Sequence, residues 1–226
     1  MAPHLVIDPQ QLSPILPPKN LPRQWHLFDF TANNTRLAQV DLQDREAFER
    51  YINETMAAAG AEGGMGGYLE PRVLYQRSAH FDGEEEARSL HLGVDLWLPA
   101  YTPLLAPLAG TIHSYADNAG FGNYGPTLIL EHTQNDSTFY TLYGHLAQTD
   151  MAHWKVGKAY AAGDPIATLG DYHENGDWPP HLHFQVMTDM LGNEGDFPGV
   201  AKPSEKEYWR TICPDPNLVL NFDILR

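Results

Sequence analysis

Two short histidine-bearing stretches constrain this chain more than any other feature of its sequence. The first reads His-Leu-Gly-Val-Asp over residues 91–95, and the second reads His-Leu-His-Phe over residues 181–184. Imidazole nitrogen and carboxylate oxygen bind zinc at roughly 2 Å, and a catalytic zinc site keeps three protein ligands and leaves one position for water. A fold in which both stretches serve one metal must therefore bring them together.

The spacing within the first stretch limits its local structure. In a straight strand, His91 and Asp95 share a face but stand roughly 13 Å apart, which is too far for one ion. A helix would bring the pair to about 5 to 6 Å, but Gly93, Val94 and the nearby Pro99 disfavour a helix. Gly93 permits the remaining solution, which is a bend or bulge that folds Asp95 back toward His91.

The second stretch has simpler geometry. His181 and His183 lie two residues apart, so in a strand they point to the same side of the sheet at about 6.6 Å from one another. One imidazole can then bind the metal while the other stands beside the metal-bound water. Taken singly, either stretch is a weak signal, because an isolated histidine more often caps a loop or satisfies a hydrogen bond in the core.

A third stretch lies between these two and makes the combination specific. Residues 139–146 form a β-rich run that ends in Tyr-Gly-His-Leu. The three motifs HLGVD, YGHL and HLHF, in this order, resemble the pattern of the lysostaphin/LytM-type zinc metallopeptidases. The resemblance covers about residues 78–190.

The resemblance implies a role for each of five side chains. His91, Asp95 and His183 would bind one Zn²⁺ per chain, and His145 and His181 would form the catalytic pair. Zinc lowers the pKa of its bound water toward 7 and polarises the scissile carbonyl, while the two histidines transfer the proton and stabilise the oxyanion. The sequence contains no His-Glu-x-x-His motif, which disfavours a glutamate base of the thermolysin type. The implied activity is that of a zinc metalloendopeptidase-like hydrolase acting on a peptide amide bond.

The pattern of residues from Glu70 onward predicts β structure alone in that region, and so a mainly β fold for the chain. Alternating or apolar runs bounded by Gly, Pro, Asn and Asp predict strands within residues 106–116, 126–131, 138–144, 165–170 and 181–187. The resemblance implies an antiparallel, β-sandwich-like groove fold of the duplicated hybrid motif type, with the metal on the groove floor. Loops at residues 115–125 and 173–180 would form its walls. Some turn sequences also resemble those of lipoyl and biotin carriers, a second candidate fold that does not explain the histidines.

The first part of the chain predicts a helical extension to this domain. We divide the chain into an N-terminal extension, residues 1–69, and a metallopeptidase-like β domain with a C-terminal tail, residues 70–226. Prolines punctuate residues 1–40, which predicts an extended segment held by its aromatic side chains. An amphipathic helix is predicted over residues 41–59, with Gly60 as its stop. Its apolar face carries Leu42, Phe48, Tyr51, Ile52 and Met56.

The glycine-rich residues 62–68 follow this helix and allow two interpretations. The favoured one is a flexible connector between the helix and the β domain. The alternative is a self-inhibitory segment that lies in the groove, since members of the resembled family commonly cut beside glycine.

Charge and cysteine content narrow the class of protein further. The 14 Lys and Arg against 29 Asp and Glu leave a formal charge of −15, which disfavours binding to nucleic acid or to an anionic wall polymer. The single cysteine, Cys213, cannot form an internal disulfide, which fits a reducing compartment. The start of the chain does not resemble a secretory signal, and no apolar run approaches the roughly 20 residues of a membrane span. We therefore expect a cytoplasmic protein whose partner is a peptide or small amide substrate, with the oligomeric state left open.

Several other side chains have weaker interpretations. Tyr115 and Tyr143 are candidates for hydrogen bonds to substrate, and Cys213 is expected to be structural and far from the metal motifs. One carboxylate near Asp82 or Glu86 could orient a ligand histidine, although a solvated loop is favoured there. The remaining histidines of the β region are expected to be structural or exposed: His113, His132, His153 and His173.

The tail and the N-terminal segment add a second, finer resemblance. Together they are similar to the peptidase-like module that some larger proteins carry fused to an aminoglycoside-phosphotransferase-like domain and a class III aminotransferase. Two other functions stay open at this point. One is a noncatalytic, metal-bearing module that binds a peptide, and the other is a metal-free β scaffold in which the histidines are incidental.

Overall fold

A large β-sheet is the centre of the protein. The computed structural model describes residues 5–77 and 86–225. Within these ranges the strands, in chain order, are β1 (Trp25–Phe28), β2 (Gly63–Gly66), β3 (Leu90–His91), β4 (Val94–Trp97), β5 (Pro103–Leu105), β6 (Gly110–Asn118), β7 (Gly125–Gln134), β8 (Ser137–Gly144), β9 (Ala159–Tyr160), β10 (Pro165–Thr168), β11 (His181–Met187) and β12 (Val200–Ala201). Eight of them form one sheet in the order β1-β2-β4-β11-β8-β7-β6-β9, while β5 pairs with β10 and β3 with β12.

The predicted mainly β fold class is confirmed, and the large sheet is mixed because of one parallel pair. The neighbours in the large sheet pair antiparallel except at one edge, where β1 and β2 are parallel. Parallel strands need a long crossover, and the chain between β1 and β2 supplies one that contains a helix. Both strands precede residue 70, and the strand pairs after residue 70 in the large sheet are all antiparallel, as expected for the β region. The assignment to the duplicated hybrid motif type stays a prediction.

The strand positions follow the sequence pattern closely. Each of the five predicted runs falls on an observed strand, namely β6, β7, β8, β10 and β11. In β11, Leu182, Phe184 and Val186 belong to the main hydrophobic core, while the alternate residues face the other side. This period of two is what the pleat of a strand requires. One face of β11 therefore anchors the sheet, and the other is left for function.

Helices flank the sheet at both ends of the chain. Within the described ranges they are α1 (Arg45–Ala58), α2 (Lys206–Ile212) and α3 (Asn217–Leu220), with 3-10 turns at Pro9–Gln11, Pro18–Asn20, Leu37–Gln39, Val73–Arg77, Gln148–His153, Pro203–Glu205 and Asp223–Leu225. The expectation of β structure alone after residue 70 is wrong for the tail, where Trp209 and Ile212 of α2 pack on a hydrophobic cluster. No helix in the described part of the chain is long and apolar enough to cross a membrane.

The predicted amphipathic helix is present and begins later than expected. The Asp44 carboxylate accepts hydrogen bonds from the backbone N–H groups of Glu46 and Ala47, which makes Asp44 the N-cap and excludes the residues before it. Gly60 follows the helix with φ of +65°, as a helix stop requires. The apolar face of α1 packs into an aromatic cluster made of Phe28, Phe30, Phe48, Tyr51 and Trp97.

The glycine-rich residues 62–68 have neither of the structures expected for them. Residues 63–66 are the buried strand β2, which pairs with β1 on one side and with β4 on the other. The flexible connector was therefore wrong, and these glycines do not lie across a groove. A Cβ atom on Gly63 would come within 2.7 Å of Pro22 Cγ, so the glycines allow neighbouring side chains to pack close. The division into residues 1–69 and 70–226 stays a prediction, although strands from both parts share one sheet.

Buried His132 predicts how stability depends on pH. Its Nδ1 donates to the carbonyl of Ala109 at 2.8 Å, its Nε2 lies 2.7 Å from Thr141 Oγ1, and burial lowers its pKa to about 4. The unfolded chain takes up this proton near pH 6.5, so the contribution of His132 to the free energy of unfolding falls as pH drops from 6.5 toward 4, by about 3 kcal/mol at most. We expect His132→Gln to flatten this slope in urea titrations.

The exposed His153 provides the control for this prediction. A His153→Gln variant should keep the slope of the parent protein between pH 7 and pH 4.5. Equal slopes for His132→Gln and the parent would show that His132 does not stay unprotonated in the folded protein.

Candidate metal centre and active site

The first motif bends in the predicted way. His91 ends β3 and Asp95 lies in β4, and these two strands belong to different sheets. The break between them places His91 Nε2 at 3.3 Å from Asp95 Oδ1. Gly93 is required at the bend, because a Cβ atom there would lie 2.7 Å from both His183 Cε1 and the Phe184 carbonyl oxygen.

The pairing of β4 with β11 supplies the third donor. His183 lies directly opposite Asp95 in this antiparallel ladder. Its Nδ1 is 3.2 Å from Asp95 Oδ1 and 3.0 Å from His91 Nε2. Three donor atoms thus form a triangle with edges of 3.0 to 3.3 Å. Ligands of a tetrahedral zinc with bonds of roughly 2.0 to 2.1 Å are about 3.3 Å apart, so this set of donors fits a zinc ion.

Each imidazole of the triangle is oriented through its other nitrogen. His91 Nδ1 donates to the carbonyl of Gly67 at 2.9 Å. His183 Nε2 donates to the side-chain oxygen of Gln185 at 3.0 Å. Because both partners are acceptors, the proton is held on the outer nitrogen, and a lone pair is left on the nitrogen that faces the triangle.

Two further histidines stand beside the triangle in the same way. His145 Nδ1 donates to the carbonyl of Asn175, and His181 Nδ1 donates to the carbonyl of Pro179, both at 2.8 Å. Their rings lie 4.2 Å apart between centroids, and His181 Nε2 is 4.0 Å from Asp95 Oδ1. Both rings therefore keep an Nε2 with a lone pair next to the three donors.

The backbone at His145 is held in an uncommon conformation. His145 has φ of +63°, in the left-handed region, directly after the end of β8. Its N–H donates to the Tyr124 carbonyl at 2.9 Å, and its own carbonyl accepts from Gly170 at 2.8 Å. Such a conformation costs on the order of 1–3 kcal/mol and persists only where the surroundings impose it. Here those contacts turn the imidazole toward the pocket.

Burial and charge set the protonation of the site. Burial lowers the pKa of His91 and His181 to about 4, and that of His145 well below its usual value. Burial opposes ionisation of Asp95, but the nearby His91 and Arg72 outweigh it and hold the carboxyl pKa well below its usual range. At neutral pH, Asp95 is therefore a carboxylate and His91, His145 and His181 are unprotonated, which are the forms that bind a divalent metal.

Four of these residues, Asp95, His145, His181 and His183, line one pocket of about 330 Å³. Its lining includes residues from both predicted wall loops, among them Tyr124 and Trp178, and also the segment from residue 193 to 200, which the sequence did not indicate. Tyr115 and Tyr143 are not in the lining, and the buried Tyr143 hydroxyl is paired with Thr141, so their assignment to substrate was wrong. Two tyrosines line the pocket instead: Tyr124, whose hydroxyl is 3.4 Å from His183 Nε2, and Tyr75, whose ring centroid is 6.4 Å from that of His91.

Several supporting residues were missed from the sequence. Arg72 and Glu70 form a buried charged pair behind Asp95, and no pattern in the sequence distinguishes them. Gln185 could have been found, because it lies two residues after His183 and so on the same face of the strand. Trp97 lies opposite His181 in the ladder and stacks on its ring at 4.1 Å.

Cys213 is buried, and its position corrects one expectation. Burial raises the pKa of its thiol to about 12, which agrees with a structural role. It lies close to the metal motifs and not far from them as expected. Its Sγ is 3.3 Å from Gln185 Nε2, and the oxygen of the same side-chain amide accepts the hydrogen bond from His183. Most of the acidic run from residue 82 to 86 lies outside the described residues, and Glu86 bonds Ser204.

Comparison with known proteins agrees with this geometry. Residues 89–195, which contain all five motif residues, match the model of Peptidase family M23. The glycyl-glycine endopeptidase ALE-1 of Staphylococcus capitis is 34% identical over 103 residues, which are 46% of this chain and 26% of that relative. The chain thus spans about a quarter of the length of this relative.

Solved structures of peptidases are also similar to the chain. The catalytic domain of lysostaphin from Staphylococcus simulans is 24% identical and covers 54% of this chain and 80% of that one, with a TM-score of 0.35. A zinc-containing peptidase from Vibrio cholerae is 28% identical and covers 43% and 27%, also at 0.35. The family match and the curated relative support the resemblance to lysostaphin-type metallopeptidases in the β region.

The close approach at Gly93 gives a test of the donor triangle. We expect Gly93→Ala to displace His183 and to raise the zinc dissociation constant by about 10-fold or more. Competition with a chromophoric chelator measures this constant. The matched control is Gly67→Ala, because an added Cβ there meets only Glu70 at 3.8 Å and the carbonyl that orients His91 is kept. Unchanged zinc affinity in Gly93→Ala would contradict the assigned donors.

Proposed function

We propose that the protein is a zinc-dependent metallopeptidase that hydrolyses a peptide amide bond. The observation that carries this proposal is the placement of three converging donor atoms, from His91, Asp95 and His183, beside two imidazoles with available Nε2 atoms. The match of residues 89–195 to a peptidase family supports the same conclusion. The open pocket above these groups provides room for a peptide segment.

The residues of the site divide the chemistry among them. His91 Nε2, Asp95 Oδ1 and His183 Nδ1 would hold one zinc ion per chain. When bound, the ion supplies Lewis acidity, which activates water and polarises the scissile carbonyl. The Nε2 atoms of His145 and His181 are unprotonated at neutral pH, so one of them accepts the proton that leaves the attacking water.

The same pair completes the reaction. Once protonated, an imidazole Nε2–H donates its proton to the leaving amine. Before that transfer, the same Nε2–H is the hydrogen-bond donor that stabilises negative charge on the former carbonyl oxygen. The backbone carbonyls of Asn175 and Pro179 keep both rings in the tautomer that these steps need. Burial of both rings in a pocket strengthens these interactions relative to water.

We propose a glycine-containing peptide as the substrate. The name of the Staphylococcus capitis relative describes cleavage between glycines, and a chain of charge −15 would be repelled by an anionic wall polymer. The single cysteine supports a reducing compartment. We also propose a biological setting for the chain. It would be a peptidase-like module of enzymes that also carry phosphotransferase-like and aminotransferase domains.

Two variants separate metal binding from catalysis. His183→Ala should lose zinc and turnover together, because it removes a donor. His145→Ala should keep about one zinc per chain and lower kcat by about 100-fold or more, because it removes only a proton carrier. Zinc is measured by atomic emission, and turnover is measured on glycine-rich and D-amino-acid peptide libraries.

An exposed histidine serves as the control. His173→Ala should match the wild type in zinc content and turnover. Wild-type protein that binds zinc but cleaves none of the peptides would favour a noncatalytic binding module. Protein without zinc in zinc-supplemented buffer would favour a metal-free scaffold.

A further inference from the structure

Arg72 is the one fully buried cation that contacts the donor triangle within the described residues. Its Nη1 donates to Asp95 Oδ2, the carboxylate oxygen that does not face the triangle. Its Nε donates to Glu70 Oε2 at 2.8 Å, and its Nη2 donates to the Gly67 carbonyl at 3.3 Å. Only 1% of the Arg72 side chain is exposed to solvent.

The Gly67 carbonyl connects Arg72 to a second donor of the triangle. The same oxygen accepts the hydrogen bond from His91 Nδ1 at 2.9 Å. Arg72 therefore touches Asp95 directly and His91 through one shared acceptor. Two of the three candidate zinc ligands are oriented by contacts that include this guanidinium.

The surroundings of Arg72 are shaped to hold it in place. A Cβ atom on Gly66 would collide with Arg72 Nη2, so the glycine of β2 leaves the space that the guanidinium fills. The Phe30 ring lies beneath the guanidinium at 5.1 Å, and the Phe30 N–H donates to the second oxygen of Glu70 at 3.0 Å. Residues 30, 66 and 70 all precede the segment that matches the peptidase family.

Charge balance explains why Glu70 accompanies Arg72. A buried guanidinium next to a zinc ion would repel the ion if Asp95 alone neutralised it. Glu70 supplies a second carboxylate, 13% exposed, on the other side of the guanidinium. With Glu70 present, the charge of Arg72 is matched independently of Asp95, and the Asp95 charge stays available to the metal.

We propose that Arg72 is a positioning residue for the metal centre and that Glu70 is the counter-ion that makes it compatible with a bound cation. Arg72 engages Asp95 Oδ2, so that the carboxylate presents only Oδ1 to the metal and leaves a coordination position for water. This inference rests on the proposed zinc site. It assigns a function to a segment outside the family match.

Zinc affinity and coordination geometry test the inference without relying on turnover. We expect Arg72→Met/Glu70→Gln, which removes both buried charges, to raise the zinc dissociation constant by about 10- to 100-fold. Arg72→Lys keeps the positive charge but loses the planar guanidinium that contacts two carboxylates and a carbonyl. The zinc dissociation constant of this variant should therefore lie between those of the double variant and the wild type. The visible spectrum of the Co²⁺-substituted protein should change in both variants, since Asp95 is then free to bind through two oxygens.

An exposed ion pair beside β2 provides a matched control. Arg23 and Glu62 pair at 3.3 Å, with 90% and 49% of their side chains exposed. Arg23→Met/Glu62→Gln makes the same chemical changes and should leave zinc affinity and the Co²⁺ spectrum unchanged. Circular dichroism checks the fold of each variant, and if the Met-containing variant does not fold, Arg72→Lys decides the question alone.

The outcomes separate this inference from the proposed function. Wild-type zinc affinity and an unchanged Co²⁺ spectrum in the folded Arg72 variants would overturn the positioning role while the metallopeptidase proposal stands. Absence of zinc binding by the wild type would overturn the proposed function itself.

Discussion

The antiparallel register between β4 and β11 is the constraint on which the site depends. It sets His183 opposite Asp95 and His181 opposite Trp97. One ladder therefore brings together two of the candidate zinc donors and also places the His181 ring against Trp97. Residues directly opposite in such a ladder have side chains about 4.5–5.5 Å apart at Cβ, close enough to share an ion. A slip by one residue would turn both histidines into the core and bring Leu182 and Phe184 to the pocket. The core packing of those two side chains therefore protects the site.

Around that ladder, the protein controls the direction of each imidazole by the same means. All four histidines of the site donate one N–H to an acceptor, which is a backbone carbonyl for His91, His145 and His181 and an amide oxygen for His183. Backbone carbonyls cannot rotate, and Gln185 is fixed in turn by Pro198 and Cys213. The tautomers are thus preset by acceptors outside the three motifs, namely Gly67 before them, Asn175 and Pro179 between the second and the third, and Gln185 directly after the third. The glycine strand, the loop around Asn175 and the C-terminal tail all have this supporting role.

Local features predicted five of the strands and the bend at Gly93, while the five residues that meet at the site were predicted from the order of three motifs and their resemblance to a known family. Alternation in β11 and the freedom of glycine at one bend are visible in a few adjacent residues. Arg72 and Glu70 were not predictable, because the contact of Arg72 with Asp95 spans 23 residues of chain and the Glu70 carboxylate joins the site through Arg72. The glycine-rich residues 62–68 were misread for a related reason. A run of glycines is typical of a flexible linker. These glycines form a buried strand because neighbouring side chains, such as those of Phe28 and Arg72, fill the space beside them.

Anomalous diffraction at the zinc edge, from crystals grown with zinc, tests the central claim most directly. We expect one strong peak per chain, bonded to His91 Nε2, Asp95 Oδ1 and His183 Nδ1 at roughly 2.0 to 2.2 Å. His145 and His181 should lie near the peak without bonding it. A peak bonded to His145 or His181, a peak at another place in the chain, or no peak at full zinc concentration would contradict this claim.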